Sequence, residues 1–471
     1  MGMLMPKILA YKQVYQRIHS AILKGTLKPG ERIPSTRTLA KEMGVSRGTV
    51  EEGYALLKAE GYLESKGQAG TLVSEKLHSQ PRVLQSKTTA RQPGLQSEVE
   101  IPQVLPFQLG IPALDKFPKE VWARMTARCA RNIHKDDLAY PSVYGNPQLR
   151  EAIAQYLQLS RGIQCEPSQV FITSGYVNSI NWIFHVLLKK HASVVMEDPG
   201  YPLTRQLLIN NGLTPVPTPV DKNGILFNFE SKPDAVVVTP AHQSPTCVYL
   251  SLERRQALLN WAETNKRWII EDDYDGEYRH TGLPLPALKS IDTQNRVIYS
   301  GTFSKVMFPS LRLAYIVVPP SQLTAFEQVS ELFAGNVSAL TQASVLSFIK
   351  EGHLSRHIQR MRKLYRERRN IMATVFQKVL GSAINIDPQP GGMNMIVMFT
   401  DKSINDNTLA KKMIEAGLFA QGLSQWANSQ QEPGVILSFT NIKDEAQCYE
   451  LASRFKAVLF SSINDHRQPI F

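Results

Sequence analysis

The sequence predicts a chain of two unlike parts. An N-terminal winged helix-turn-helix precedes an α/β domain with a mostly parallel central sheet and a smaller α+β C-terminal subdomain. Three observations carry this reading. Helical apolar spacing recurs three times before residue 60 and then yields to a glycine-bounded hairpin. Short β-branched runs alternate with amphipathic helical stretches between residues 170 and 317. A stretch rich in Ser, Gln, Thr and Lys, without an apolar period, separates the two. The bounds that follow are 8–74 for the first domain, 75–103 for a linker and 104–465 for the second. A length of 471 residues also exceeds what one compact core organises.

The elements read as follows. From Tyr11 to Leu23, Val14, Ile18, Ile22 and Leu23 mark a helix that Gly25 and Pro29-Gly30 stop. Ser35 is placed to cap a second helix, with Leu39, Ala40 and Met43 as its buried stripe. Gly44 turns the chain, and Ser46 caps a third helix running to about Ala59. A strand begins at Gly61-Tyr62-Leu63, and Gly67 to Gly70 form a hairpin into Thr71-Leu72-Val73. In the larger part, Val170–Thr173, Ser193–Met196, Ala235–Val238, Trp268–Ile270, Val297–Tyr299 and Leu313–Val317 are continuously apolar, as strands covered on both faces should be. Helices are expected over Val177–Leu188 and Leu252–Thr264. A longer one runs from Val345 to Ala373 with a break at Gly352.

Composition narrows the function classes. The 43% apolar and 20% charged content is that of a globular protein. A formal charge of +12 permits a polyanionic partner. Cys129, Cys165, Cys247 and Cys448 lie far apart with no Cys/His metal spacing, which argues against zinc and against a disulfide framework. No apolar run approaches the ~20 residues of a membrane span, and the first residues lack a signal-peptide pattern, so a cytoplasmic protein is expected.

A helix-turn-helix reads DNA with the N-terminal end of its second motif helix, here Ser46-Arg47-Gly48-Thr49. Arg47 can pair bidentately with guanine, while Ser46 and Thr49 can hold phosphate oxygens. Arg37 on the preceding helix is placed for the backbone, and Lys66 at the wing tip for the neighbouring minor groove. The plainer alternative is a helical domain whose arginines only solvate its surface.

The second domain offers all four groups that pyridoxal phosphate requires: an amine, an anion for the pyridinium nitrogen, a flat lid and a phosphate cup. Lys305, set between two buried strands in Thr302-Phe-Ser304-Lys305, is the amine. Arg312, seven residues on, can return to the phosphate with the Thr302 or Ser304 hydroxyl. Asp272 ends a buried strand, where a carboxylate needs a cationic partner, and Tyr274 projects from the same side toward the ring's 3-hydroxyl. Gly175-Tyr176 opens a helix whose free amides can cup a phosphate. Tyr176 or Tyr201 can stack on the ring. Taken singly, each has a bland reading as a solvated lysine, a capping carboxylate or a core aromatic.

The segment Leu27-Lys-Pro-Gly-Glu-Arg-Ile-Pro-Ser-Thr-Arg-Thr-Leu-Ala40, with Gly44-Val-Ser-Arg-Gly-Thr-Val50, resembles the winged helix of the GntR family. Glu51 departs from the arginine common there. Residues 105 to 460 resemble fold-type-I, pyridoxal-phosphate-dependent aminotransferases, and the whole arrangement is similar to the MocR-type regulators. That resemblance implies a head-to-tail homodimer, pyridoxal 5'-phosphate on Lys305, and binding to a double-stranded DNA operator controlled by a small-molecule effector. It also implies that Tyr140, in Tyr140-Pro-Ser-Val-Tyr-Gly145, reaches the partner subunit's phosphate.

Two departures from the aminotransferase pattern matter. His242-Gln-Ser244-Pro-Thr-Cys247 stands where Asn-Pro-Thr-Gly is usual, and Ile436 stands where an arginine clamps a substrate carboxylate. Arg454 is a distant substitute. Losing such a clamp removes about 2–3 kcal/mol of amino-acid binding. The expected function is therefore a ligand-responsive regulator and not an enzyme, its signal being pyridoxal phosphate itself or an effector without an α-carboxylate. The alternative is a working aminotransferase carrying a vestigial DNA module.

Overall fold

The computed structural model describes residues 10–67, 70–76, 104–228, 232–280, 282, 285–333, 337–429 and 432–467, with side chains to 462. Most of the expected linker, from residue 77 to 103, lies outside the described residues, as do residues 8 and 9. The chain divides into two units, Met1–Glu100 and Ile101–Phe471.

In the first unit, α1 (Ala10–Leu23), α2 (Thr36–Met43) and α3 (Arg47–Ala59) precede a two-stranded ribbon, β1 (Leu63–Ser65) and β2 (Thr71–Val73). Val14, Ile18, Leu39, Val50, Tyr54 and Leu57 form its core. The Ser35 and Ser46 hydroxyls accept from the Thr38 and Thr49 amides, so both caps are as expected. Gly44 takes φ 65° between α2 and α3. A Cβ on Gly53 would lie 2.9 Å from the Val14 side chain, so glycine lets α1 and α3 close together.

The second unit begins with α4 (Lys119–Arg131), α5 (Pro147–Arg161), β3 (Val170–Thr173), α6 (Tyr176–Leu187), β4 (Ser193–Asp198) and α7 (Pro202–Asn210). It continues through β5 (Thr214–Asp221), β6 (Gly224–Ile225), β7 (Ala235–Val238), α8 (Leu252–Asn265), β8 (Trp268–Asp273), β9 (Val297–Thr302) and β10 (Ala314–Val317). These strands form one eight-stranded sheet in the order β3-β10-β9-β8-β7-β4-β5-β6. From β9 to β5 neighbouring strands run parallel, while β10 is antiparallel to both β9 and β3. Both faces are covered: Val236, Val238 and Ile269 pack with Trp261 on one side, Val237, Ile270 and Ile298 with Trp182 on the other. That double burial is what the continuous apolar runs encode.

After α9 (Leu323–Phe333) come α10 (Ala339–Lys350) and α11 (His353–Leu380), separated at Gly352 with φ 72°. The expected long helix is thus two helices, and each extends beyond the bounds anticipated. A smaller antiparallel sheet closes the chain, ordered β11-β12-β14-β13, from β11 (Ile384–Ile386), β12 (Asn394–Phe399), β13 (Gln421–Gly422) and β14 (Gly434–Ser438). The helices α12 (Asp406–Glu415) and α13 (Glu445–Arg467) complete it. No described helix is long and apolar enough to cross a membrane. Among the described residues no His/Cys/Asp/Glu group is arranged to hold a metal ion.

Candidate functional site

The sheet decides where the chemistry collects. Parallel strands β8 and β9 end at the same edge, placing Asp272 beside Ser300, with Thr302 two residues further on. Because β10 runs the other way, its first residue Ala314 pairs with both Thr302 and Thr173. The chain therefore turns back after Lys305, and Arg312 arrives at the edge that Lys305 left. Ligands of open α/β sheets bind at the carboxyl ends of the strands. Here a cavity of about 560 Å³ opens at that edge.

Lys305, Asp272, Tyr274, Thr302, Ser304 and Arg312 all line it, as do Tyr176 and Tyr201. The Lys305 ammonium donates to the Gly110 carbonyl at 3.0 Å. Burial lowers the lysine's pKa, partly opposed by Asp275 and Asp272. Gly110 has φ 76°, and a Cβ there would sit 2.6 Å from the Lys305 Nζ, so this glycine keeps open the space the amine uses. Asp272 is held well above the ordinary carboxylate range by burial and by the charges of Asp273, Glu197 and Asp275. Such a carboxylate ionises once a cation is set against it.

Three pieces of the chain offer an anion a place at this edge. Gly175 is the N-cap of α6 with no side-chain cap, leaving first-turn amides and the helix dipole for an anion. A Cβ at Gly175, where φ is 113°, would meet the Arg312 guanidinium at 3.0 Å, so glycine is required for that approach. Thr302 Oγ1 accepts from the Ser304 amide at 3.2 Å, closing the turn beneath. Above, Tyr201 stacks obliquely on Trp426 with centroids 5.6 Å apart, and on Tyr176 at 6.0 Å. The Tyr176 hydroxyl is bonded to Thr204 at 2.6 Å, which fixes that ring in the wall.

Tyr274 belongs to a buried network that the sequence did not reveal. His242 Nδ1 lies 3.0 Å from the Tyr274 hydroxyl and 3.0 Å from Asp275 Oδ1. Burial works against a charged His242, but Asp275 and Cys247 together outweigh it and hold the imidazole well above its ordinary pKa. The Nδ1–H is then shared by Asp275 and the tyrosine oxygen. The tyrosine's own proton is left for the cavity side, where Ser244 also stands.

The remaining expectations divide. Tyr140 is fully exposed and lies outside the cavity of its own chain. Ile436 is wholly buried, packed with Leu423 and Trp426 beside the cavity. Arg454 does not substitute for the missing clamp: it donates to the Ala416 carbonyl at 2.7 Å and does not line the cavity. Gly110, Asp275 and Trp426 were not anticipated. A single glycine in a loop and a lone tryptophan leave no pattern, although the crowding of Asp272, Asp273 and Asp275 was a visible signal.

In the helix-turn-helix, Arg37, Ser46, Arg47 and Lys66 are exposed and Thr49 is half-buried. Arg47 Nε is ion-paired with Glu51 at 2.8 Å, and Lys66 with Glu75 at 3.1 Å. Ser46 and Thr49 hydroxyls bond each other at 2.8 Å.

Comparison with known proteins agrees with both halves. A family described as bacterial regulatory proteins, gntR family, matches residues 10–73, and one described as aminotransferase class I and II matches residues 102–429. The chain is 36% identical to the probable rhizopine catabolism regulatory protein MocR of Rhizobium meliloti, over 92% of this chain and 90% of that one. It is 30% identical to the pyridoxine biosynthesis transcriptional regulator PdxR of Corynebacterium glutamicum, over 95% of each. Among solved structures, α-aminoadipate aminotransferase LysN of Thermus thermophilus, complexed with N-(5'-phosphopyridoxyl)-L-leucine, matches with TM-score 0.70 and 25% identity. The match covers 77% of this chain and 93% of that one. The kynurenine aminotransferase of Pyrococcus horikoshii matches equally well, with TM-score 0.70 and 25% identity over 79% and 93%.

Proposed function

From the premise that this chain belongs to the MocR-type transcription regulators of the GntR family, we propose that it holds pyridoxal 5'-phosphate on Lys305 and adjusts operator binding to what occupies that cavity. When bound, the cofactor supplies an aldehyde carbon reactive toward an unprotonated amine and a protonated ring that withdraws electrons. The residues present fit it. Lys305 offers an amine whose protonation burial disfavours. Asp272 gains the cation its surroundings lack, and Arg312 with the start of α6 takes the phosphate. Tyr274, whose oxygen accepts from His242, turns its own proton toward the cavity. Tyr140 of each subunit completes the neighbouring site in a head-to-tail dimer.

The observation that carries the cofactor reading is the meeting of Lys305, Asp272 and Arg312 at one sheet edge. A sensing role, in place of transamination, is supported by Ile436. A buried isoleucine packed on Trp426 offers a carboxylate nothing, and Arg312 is already committed to the phosphate. The signal is then the cofactor itself or an amine-bearing effector without an α-carboxylate. The name of the Corynebacterium relative, a regulator of pyridoxine biosynthesis, supports the first. Borohydride reduction of the cofactor-loaded protein followed by peptide mapping tests the assignment. Label on Lys305, together with visible absorption lost in Lys305→Ala, is expected; label on another lysine, or none, overturns it.

A further inference from the structure

The formal charge of +12 is unevenly spread along the chain. Helix α11 holds eight Lys and Arg residues against the single acid Glu367, a net +7 within 28 residues. Residues 10–76, the part built to meet DNA, set eleven bases against seven acids, a net +4. One helix of the ligand-binding unit therefore carries more charge than the helix-turn-helix.

Half of these cations have structural work. Arg368 is buried against the Thr440 carbonyl and Asp115, Arg362 donates to the Glu277 carbonyl, and Arg369 to that of Gln389. Lys378 lies over the Tyr449 ring. The other four are Arg356, Arg360, Lys363 and Arg366, all exposed. The first three follow i, i+4, i+7 spacing and so share one line along the helix, with Arg366 beside it. Among the described residues none of the four is ion-paired. Arg356 bonds only to the Glu351 carbonyl and to His353.

Their field reaches inward. Burial first, and then Arg360, hold His357 down to about 4. Burial, then Arg369, with a smaller share from Arg366, do the same to His280. Helix α4 adds exposed Arg124, Arg128 and Arg131 at the same helical spacing. Arg128 is ion-paired with Glu351, two residues before α11, so that acid is already partnered. Like charges stacked at i, i+4 disfavour the helix that bears them, so this row is opposed locally, and Glu367, the one acid of the helix, is ion-paired with none of the four among the described residues.

We infer that this face of α11 is a second DNA-contacting surface, which takes the phosphate backbone outside the base pairs read by α3. From Arg356 to Arg366 the helix advances about 15 Å. The same length of duplex presents roughly nine phosphate charges. Arginine and lysine at this spacing match phosphates in kind and in reach, and without base contacts they add affinity but no sequence preference. A second copy of the chain is a poor occupant, since two such faces repel. The inference rests on the DNA binding of the GntR family and not on the cofactor, so failure of the pyridoxal phosphate assignment leaves it standing.

The test uses the full chain and duplexes selected by it from random sequence. R360Q/K363Q/R366Q is compared with K189Q/K190Q/K411Q, which removes the same charge from exposed lysines elsewhere in the unit. Affinity is measured against salt on a long duplex with flanking DNA and on a short one holding a single half-site. On the long duplex the α11 variant should lose about 2 to 3 from the slope of log K against log salt. On the short duplex, and for the control variant on both, the slope should hold. Equal effects of the two triple variants, or equal effects on both duplexes, overturn the inference. So does a change in subunit association seen by sedimentation, which would assign the face to protein. Lys363→Glu alone, on an exposed position, gives the same reading should the triple variant fold poorly.

Discussion

Replacing Gly110 by alanine should separate the cofactor from the fold. Gly110 has φ 76°, and an added Cβ would stand 2.6 Å from the Lys305 Nζ. The left-handed backbone costs an L-residue about 1–2 kcal/mol wherever it occurs. Gly212, with φ 70° and nothing within 4 Å of an added Cβ, measures that cost alone. At Gly110 the lysine end is flexible and moves aside by about an ångström, giving up its hydrogen bond to the Gly110 carbonyl; a bond to a charged group contributes about 1.5–3 kcal/mol. Gly212→Ala should therefore lose only the backbone cost in urea and Gly110→Ala that cost plus the hydrogen bond, while only Gly110→Ala loses cofactor affinity, by tenfold or more, about 1.4 kcal/mol. The assay is a visible absorption titration of each apo-protein with pyridoxal phosphate. Equal cofactor affinity in the two variants would refute the placement of the amine beside Gly110.

Other consequences follow at separate sites. Arg47→Ala should cost about 1–3 kcal/mol of operator binding and relax preference at one base pair; equal loss on matched and scrambled duplexes would remove Arg47 from base reading. Lys66→Ala should weaken specific and non-specific binding alike and lower the salt dependence by about one unit. His357, held down to about 4 by burial, stays neutral in the folded chain while the unfolded chain takes up a proton below pH 6.5. Its contribution thus falls as pH drops toward 4, so the stability of His357→Gln relative to wild type should rise by about 1 kcal/mol per pH unit across that window. A difference in urea midpoint that is flat with pH would contradict the burial of that ring. Ile436→Arg should confer a spectral response to α-amino acids on the loaded protein, and an unresponsive variant would place the missing clamp elsewhere.

What was legible in the chain and what was not follow one physical division. Strands buried on both faces announce themselves: Val170–Thr173 and Ala235–Val238 have the bounds their apolar runs gave. Capped helix starts did as well, at Ser35 and Ser46. Strand β5 escaped notice because Pro215, Pro217 and Pro219 read as breakers. Placed at alternate positions, they remove donors from one edge only, and residues 214, 216 and 218 remain free to bond β4. The antiparallel sense of β10 has no sequence signature either, yet it is what returns Arg312 to the cavity. The gathering of Asp272, Thr302 and Lys305 at one sheet edge was readable because strand ends and chemistry coincide there. Gly110 stands 195 residues before Lys305, and His242 stands 33 before Asp275. Such pairings are made by the fold, and no local pattern encodes them.

The most direct test of the account is operator affinity measured while the apo-protein is titrated with pyridoxal phosphate. Coupling between two sites is a difference in affinity between two states, commonly 5- to 150-fold. Operator affinity should change within that range, in parallel with the visible absorption of bound cofactor, and the change should vanish in Lys305→Ala. Affinity that stays constant while the cofactor saturates Lys305 would contradict the claim that occupancy of the cavity controls DNA binding.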